Sequence, residues 1–303
     1  MHVLLRNAID YAGLFPPAGL GMRSAVENFA AYLAGDESWA LGRFVVPVSR
    51  LPEFEAAARP LLPNRRDAQV WRLAVLSGPD LIADLSIIDD FNRRMASSES
   101  GKVVVDTLEM KAASAEQIED TMHRVPAGLQ AYIELPVDRD LVPLLTAMSG
   151  SRLRGKVRTG GVTPDAFPDP SDLIRFMDAC VQSRVPFKAT AGLHHPLRAD
   201  YRLTYAPDSA RGRMFGFLNV LLAAAFLGAG MSRSDAVEVL EEESSAALQT
   251  DDDGLRWRNH RLELADLHRA RRDVIIAFGS CSFTEPVNEL RALSLLDSRV
   301  PQA

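Results

Sequence analysis

Short runs rich in β-branched and aromatic residues recur along this chain, and each is followed by a stretch with helical spacing of its apolar residues. The runs are RFVVPVS (43–49), AQVWRLAVLS (68–77), KVVVDTLEM (102–110), GLQAYIELP (128–136), LRGKVRTGG (153–161), PFKATAGL (186–193) and DVIIAFGSCS (273–282). Through the first six, the starts lie 25 to 34 residues apart, the length of one βα unit. Strand-then-helix alternation implies a parallel sheet with helices outside it. An open doubly wound sheet and a closed barrel both fit that rule. Seven strands in 303 residues favour an α/β fold of the (β/α)8 TIM-barrel type.

The rhythm lapses between 193 and 273, so the eighth strand is expected there, at GLRWR (254–258). No Ser- or Gly-rich linker divides the chain, which reads as one barrel domain over 1–303. An N-terminal loop-helix extension (1–40) and a helical insertion after strand six (213–265) would decorate it. The most apolar run, MFGFLNVLLAAAFLGAGM (214–231), holds Asn219 and three glycines. It is marginal for a membrane span and reads as a helix at the core or at a subunit contact, a hint of a homodimer.

A net charge of −6 and a pI near 5.6 give no basic face for nucleic acid. Two cysteines, Cys180 and Cys281, make neither a disulfide framework nor a zinc motif. The N-terminus lacks the charged and apolar regions of a signal peptide. A cytoplasmic protein without nucleic-acid or membrane partners is expected.

Side chains two apart on a strand share a face. That rule groups Val104 with Asp106, Tyr132 with Glu134, Lys156 with Arg158, and Lys188 with Thr190. The opposite faces are almost wholly apolar and suit the helices. In a barrel the polar faces point inward, so Asp106, Glu134, Lys156, Arg158 and Lys188 are expected to meet near the C-terminal ends of the strands, where barrel enzymes keep their chemistry. Strand pairing makes Lys156 and Lys188 neighbours. A lysine beside another cation in a poorly hydrated place has a lowered pKa and a usable amine. The alternative is that both stay charged and clamp a substrate anion with Arg158.

Two glycine loops follow the strands. Gly160 and Gly161 come after the fifth run, and Gly279 with Ser280 and Ser282 after the last, just before a helix expected near Thr284. Glycine lets backbone N–H groups approach an anion. Cys281 is a candidate nucleophile without an assigned base. His194 and His195 sit beyond the Lys188 strand, where either is a candidate general acid or base. Asp10 and Tyr11, in a proline-rich loop, are placed to reach the mouth. No His spacing of a metal motif occurs, and no cofactor is expected.

FKATAG resembles the K-T-S-T-G strand of the deoxyribose-phosphate aldolases, class I aldolases with a (β/α)8 fold. The match rests on Lys188, Thr190 and Gly192. The resemblance implies that Lys188, as that family's strand-six lysine, forms a Schiff base with a substrate carbonyl. Three functions are therefore expected to compete. The first is lyase chemistry on a small carboxylate or phosphate carbonyl metabolite, with Lys188 as the amine, Lys156 as its pKa modulator, Arg158 and Thr190 as binding groups, and Glu134 or Asp106 moving protons. The second is metal-assisted hydrolysis or isomerisation using Asp106, Glu134 and His194 or His195. The third is a non-catalytic binding barrel filled by ion pairs.

Overall fold

Eight parallel strands close on themselves around an interior that carries charge. The computed structural model describes residues 1–62, 69–97 and 102–296. In chain order the strands are β1 (Ile9–Tyr11), β2 (Leu41–Pro47), β3 (Trp71–Leu76), β4 (Val103–Lys111), β5 (Gln130–Glu134), β6 (Arg154–Arg158), β7 (Phe187–Thr190), β8 (Ala199–Arg202), β9 (Arg211–Met214), β10 (Leu248–Asp251), β11 (Gly254–Trp257), β12 (His260–Glu263) and β13 (Ile275–Ser280). The barrel runs β1-β13-β7-β6-β5-β4-β3-β2, and β1 closes it by pairing in parallel with both β13 and β2. Ala68, where the sequence places the start of the second run, lies outside the described residues, as do residues 297–303.

The seven expected strands are all in the barrel, but the eighth is not at 254–258. It is Ile9–Tyr11, three residues inside the stretch read as an N-terminal extension. Residues 254–257 form the middle of an antiparallel sheet, β10-β11-β12, outside the barrel. The reason is local. Two-residue turns at Asp252–Asp253 and Arg258–Asn259 separate these strands, and such short connections fold neighbours back antiparallel, whereas a barrel strand needs a crossover. With β1 counted, the strand bearing Lys188 is the seventh barrel strand, not the sixth. The segment after it holds the β8–β9 hairpin and the β10–β12 sheet as well as helices.

Outward faces of the strands pack as the alternation requires. Phe187 meets Phe176 of the helix Pro170–Gln182 edge-on at 5.4 Å, and Phe278 stacks on Phe217 at 4.8 Å. The apolar helix, Phe217–Gly228, lies among the helices Pro170–Gln182, Arg233–Leu240 and Leu264–Asp273 and against β13. Its residues from Phe217 to Leu227 are all buried within this chain, which accounts for the apolar sequence on every side. Of the two places read for this run, a core helix or a subunit contact, the structure shows the core. Among the described residues no helix is long and apolar enough to cross a membrane.

Asn219 is the one polar side chain in the buried part of that helix, and its bonds are complete. Its amide nitrogen donates to the carbonyls of Val239 and Glu242, both at 2.9 Å, and its oxygen accepts from the Arg198 N–H at 2.8 Å. It ties together three stretches of the barrel's longest crossover, around Arg198, around Asn219 itself and at Val239–Glu242. Asn219→Ala should therefore lower unfolding free energy by ~2–4 kcal/mol, since partner groups are left buried and unbonded. Urea denaturation reads this, and a loss below ~1 kcal/mol would show that the bonds are replaced.

Candidate active site

Three strands place their inward residues as the alternation predicts. Tyr132 and Glu134, Lys156 and Arg158, and Lys188 and Thr190 face the barrel interior. On β4 the alternation breaks. Leu73 pairs with Val105 but Ala74 pairs with Thr107, so Asp106 sits in a bulge and the strand changes phase beyond it. The inward carboxylate at the site is therefore Glu109, three residues nearer the C-terminal end.

Glu109 is the centre of the arrangement. One of its oxygens accepts from Lys188 Nζ at 2.6 Å, and the other pairs with Lys156 Nζ at 2.9 Å. Lys188 also pairs with Asp10 of β1, and Lys156 with Glu134 at 2.9 Å. Asp10 is fixed in turn by the Arg43 N–H at 2.8 Å. Glu109 and Lys188 are essentially without solvent contact, at 3% and 1% exposure. Burial alone would raise the Glu109 carboxyl, but the two lysine charges outweigh it and hold it down at about 2. Burial would likewise lower Lys188, and Asp10 and Glu109 reverse that, so its ammonium is held well above the usual lysine range. Lys156 is raised for the same reason by Glu109 and Glu134. The expected lowering of Lys188 by Lys156 is therefore corrected: a carboxylate lies between the two cations and stabilises both charges.

Asp106 does not belong to this group. It pairs with Arg43 at 2.6 Å and Arg72 at 2.7 Å, nearer the N-terminal end of β4. Burial opposes its ionisation, yet the Arg43 hydrogen bond and charge keep its carboxyl below the usual range. Tyr11 is also corrected. Its ring packs outward against Phe29, Tyr32 and Phe44, away from the mouth.

Above the ion pairs lies a cavity of about 230 Å3. Glu109, Lys156, Lys188 and Thr190 form its floor and sides, with Gly161, Gly279, Val45, Leu76 and the loop Phe15–Pro17 around them. Arg158 stands at the rim. It is exposed, and its recorded contact is a long one, 3.5 Å to the Gly160 carbonyl. Arg158 and Glu134 also line a wider groove of about 940 Å3 over the β4–β6 ends, where Gly160 packs under the Phe167 ring. The Thr190 hydroxyl donates to the Val157 carbonyl at 3.2 Å.

The two histidines separate. His194 is buried on the cavity wall, 3.2 Å from Ser280 Oγ and 3.6 Å from Cys281 Sγ. Burial, assisted by His195, pushes its pKa down to about 4. His195 points elsewhere: it bonds Glu289 at 2.7 Å and stacks on Tyr201 at 3.6 Å. Ser282 accepts the Glu285 N–H at 3.2 Å just ahead of the helix Thr284–Ala292, whose N-cap is Phe283, and Glu285 itself puts a negative charge in its first turn. The last glycine loop thus spends its hydroxyls on its own structure. Among the described residues no three His, Cys, Asp or Glu side chains are placed to hold a metal ion, and the imagined set of Asp106, Glu134 and a histidine does not converge.

Two pH and charge effects follow. The folded chain disfavours protonated His194, whose pKa falls from 6.5 to about 4. Its contribution to stability is therefore complete above pH 6.5 and lost as pH falls towards 4, a decline of ~3 kcal/mol. Denaturation series at several pH values should show that limb, and His194→Gln should flatten it. Glu109→Gln, which leaves two buried ammonium groups with one carboxylate each, Asp10 and Glu134, should cost ~3–5 kcal/mol in the same assay at pH 7. No known protein family, curated protein or solved structure matches this chain, so the site stands on its own geometry.

Proposed function

We propose that this protein is an enzyme that acts on a small anionic carbonyl compound and breaks or makes a carbon–carbon or carbon–oxygen bond through a barrel lysine. One observation carries the reading: two ammonium groups share Glu109 at the floor of a small cavity whose rim bears a cation with no carboxylate partner among the described residues, Arg158. The C-terminal end of the strands is where barrels do chemistry. The volume equals roughly eight waters, which suits a short-chain oxo acid or a small phosphorylated carbonyl compound. Arg158 supplies the planar donor set that binds carboxylate or phosphate.

At rest Lys188 is an ammonium ion. Its nitrogen becomes nucleophilic when one proton passes to Glu109, whose far oxygen Lys156 holds. The nitrogen then adds to the carbonyl carbon. Two of the three ammonium protons end on the carbonyl oxygen, which leaves as water, and an iminium ion remains. Overall, an ammonium and a carbonyl become an iminium and water with no change of charge. Asp10 and Glu109, which stabilise the ammonium, stabilise the iminium equally. The iminium withdraws electrons from the neighbouring carbon, and a bond one carbon further breaks to give an enamine. We assign to Glu134, which lines the neighbouring groove and pairs with Lys156, the uptake and return of the proton that this requires, relayed through Lys156. The likeness of FKATAG to the class I aldolase strand agrees with Lys188 as the amine. By strand number the sixth-strand lysine is Lys156, so both are assayed.

Borohydride reduction in the presence of 2-oxo acids and phosphorylated aldehydes should fix the carbonyl compound to Lys188, located by peptide mass mapping. Lys188→Met should abolish the adduct. Lys156→Met should slow its formation by about a hundredfold, a usual effect of losing a positioned proton donor. Adducts on Lys156 instead would reassign the amine. No lysine adduct across the panel, with a fully stable Lys188→Met and no change of melting temperature on adding small anions, would identify the barrel as ion-paired filling.

A further inference from the structure

The lysine chemistry leaves two reactive groups on the cavity wall unused, Cys281 and His194. Cys281 directly follows β13, His194 lies four residues past β7, and both line the same cavity as Lys188 and Arg158. Cys281 Sγ is 3.6 Å from His194 Nδ1 and 4.0 Å from Nε2. Tyr205, from the β8–β9 hairpin, brings its hydroxyl within 3.6 Å of the sulfur while bonding Glu285 at 2.9 Å. The N–H groups of Ala18 and of Cys281 itself also bear on the sulfur. Burial raises the thiol, and these donors oppose it. Cys180, the other free cysteine, has burial alone acting on it, as a core thiol does.

We propose that Cys281 is a second nucleophile of this cavity, with His194 as its base, and that its targets are electrophiles bearing a carboxylate. The proposal rests on the cavity's accepting anions but not on the Schiff base. His194 is buried and neutral, so a lone pair is available at neutral pH. In the addition step Sγ bonds the carbonyl carbon as the thiol proton passes to His194. The carbonyl π pair moves to oxygen, which takes that proton back from His194. The sum is addition of S–H across C=O to give a thiohemiacetal, with no oxidant or reductant. The backbone N–H groups of Ala18 and Cys281 meet the charge that grows on the sulfur as the proton leaves, while the Tyr205 hydroxyl, whose proton goes to Glu285, accepts from the thiol. Arg158, which has no carboxylate partner among the described residues, sets the preference for anions, because Lys156 and Lys188 are balanced by Glu109, Asp10 and Glu134. With a haloacetate the same sulfur forms an S–C bond, iodide leaves, and the thiol proton passes through His194 to solvent.

Alkylation of the intact protein by iodoacetate and by its neutral analogue iodoacetamide tests this, with Cys281→Ser to assign the site and Cys180 as an internal reference. Iodoacetate should label Cys281 about tenfold faster than iodoacetamide, because the Arg158 charge at the rim concentrates the anion. Arg158→Gln should remove that preference. His194→Gln should slow both reagents by about tenfold, the scale of a weak positioned base. His194→Asn serves if the glutamine variant melts early. Labelling that favours the neutral reagent, or proceeds at the same rate without His194, overturns the proposal. Borohydride trapping is repeated on Cys281→Ser. Trapping without anion-selective alkylation removes only the thiol proposal, and the reverse removes only the lysine reading.

Discussion

Lys188 carries a full charge where water does not reach, and that dictates what must surround it. An isolated ammonium in such a place would give up its proton, because its lost hydration costs several kcal/mol. Asp10 and Glu109 prevent this, but each is itself a buried charge needing donors. Lys156 completes Glu109, and the Arg43 N–H completes Asp10. Glu134 then balances Lys156. Even a glycine is drawn in, since a methyl group on Gly42 would overlap the Asp10 carboxylate. The requirement spreads outward from one nitrogen until it meets solvent at Lys111, which pairs with Glu134 at 3.7 Å.

The two ends of the barrel divide the work. Toward the N-terminal ends, Asp106 is clamped by Arg43 and Arg72, Arg154 bonds the Tyr132 hydroxyl at 3.0 Å, and Arg271 spans carbonyls of β13 and of Arg6. These groups fill and tie. The C-terminal end keeps a cavity, a cation without a carboxylate partner among the described residues, and a thiol beside an imidazole. Tyr132 separates the layers, its ring 5.4 Å from Lys188 Nζ.

Much of the fold was legible because burial enforces period-two patterning on strands that helices cover from outside. The inward lysines of β6 and β7 and Glu134 of β5 followed from that rule alone. Two elements escaped it for physical reasons. β1 is three residues long, too short to show a period, and its neighbours in the sheet come from the two ends of the chain. On β4 a bulge shifts the phase, which hid Glu109 and promoted Asp106. The signal was present: apolar residues fall at 103 and 105, then at 108 and 110. The pairing of His194 with Cys281, and the turning away of His195, depend on loop paths that no local pattern encodes.

The seam of the barrel lies between its first and last strands, with Asp10 on one side and the approach to Cys281 on the other. The contact between Asp10 and Lys188 spans 178 residues of chain. A growing polypeptide therefore holds an open edge and an unmatched carboxylate until synthesis has passed β13. The pocket takes shape only with closure, and a chain stopped short of its last strand would lack the wall that bears the sulfur.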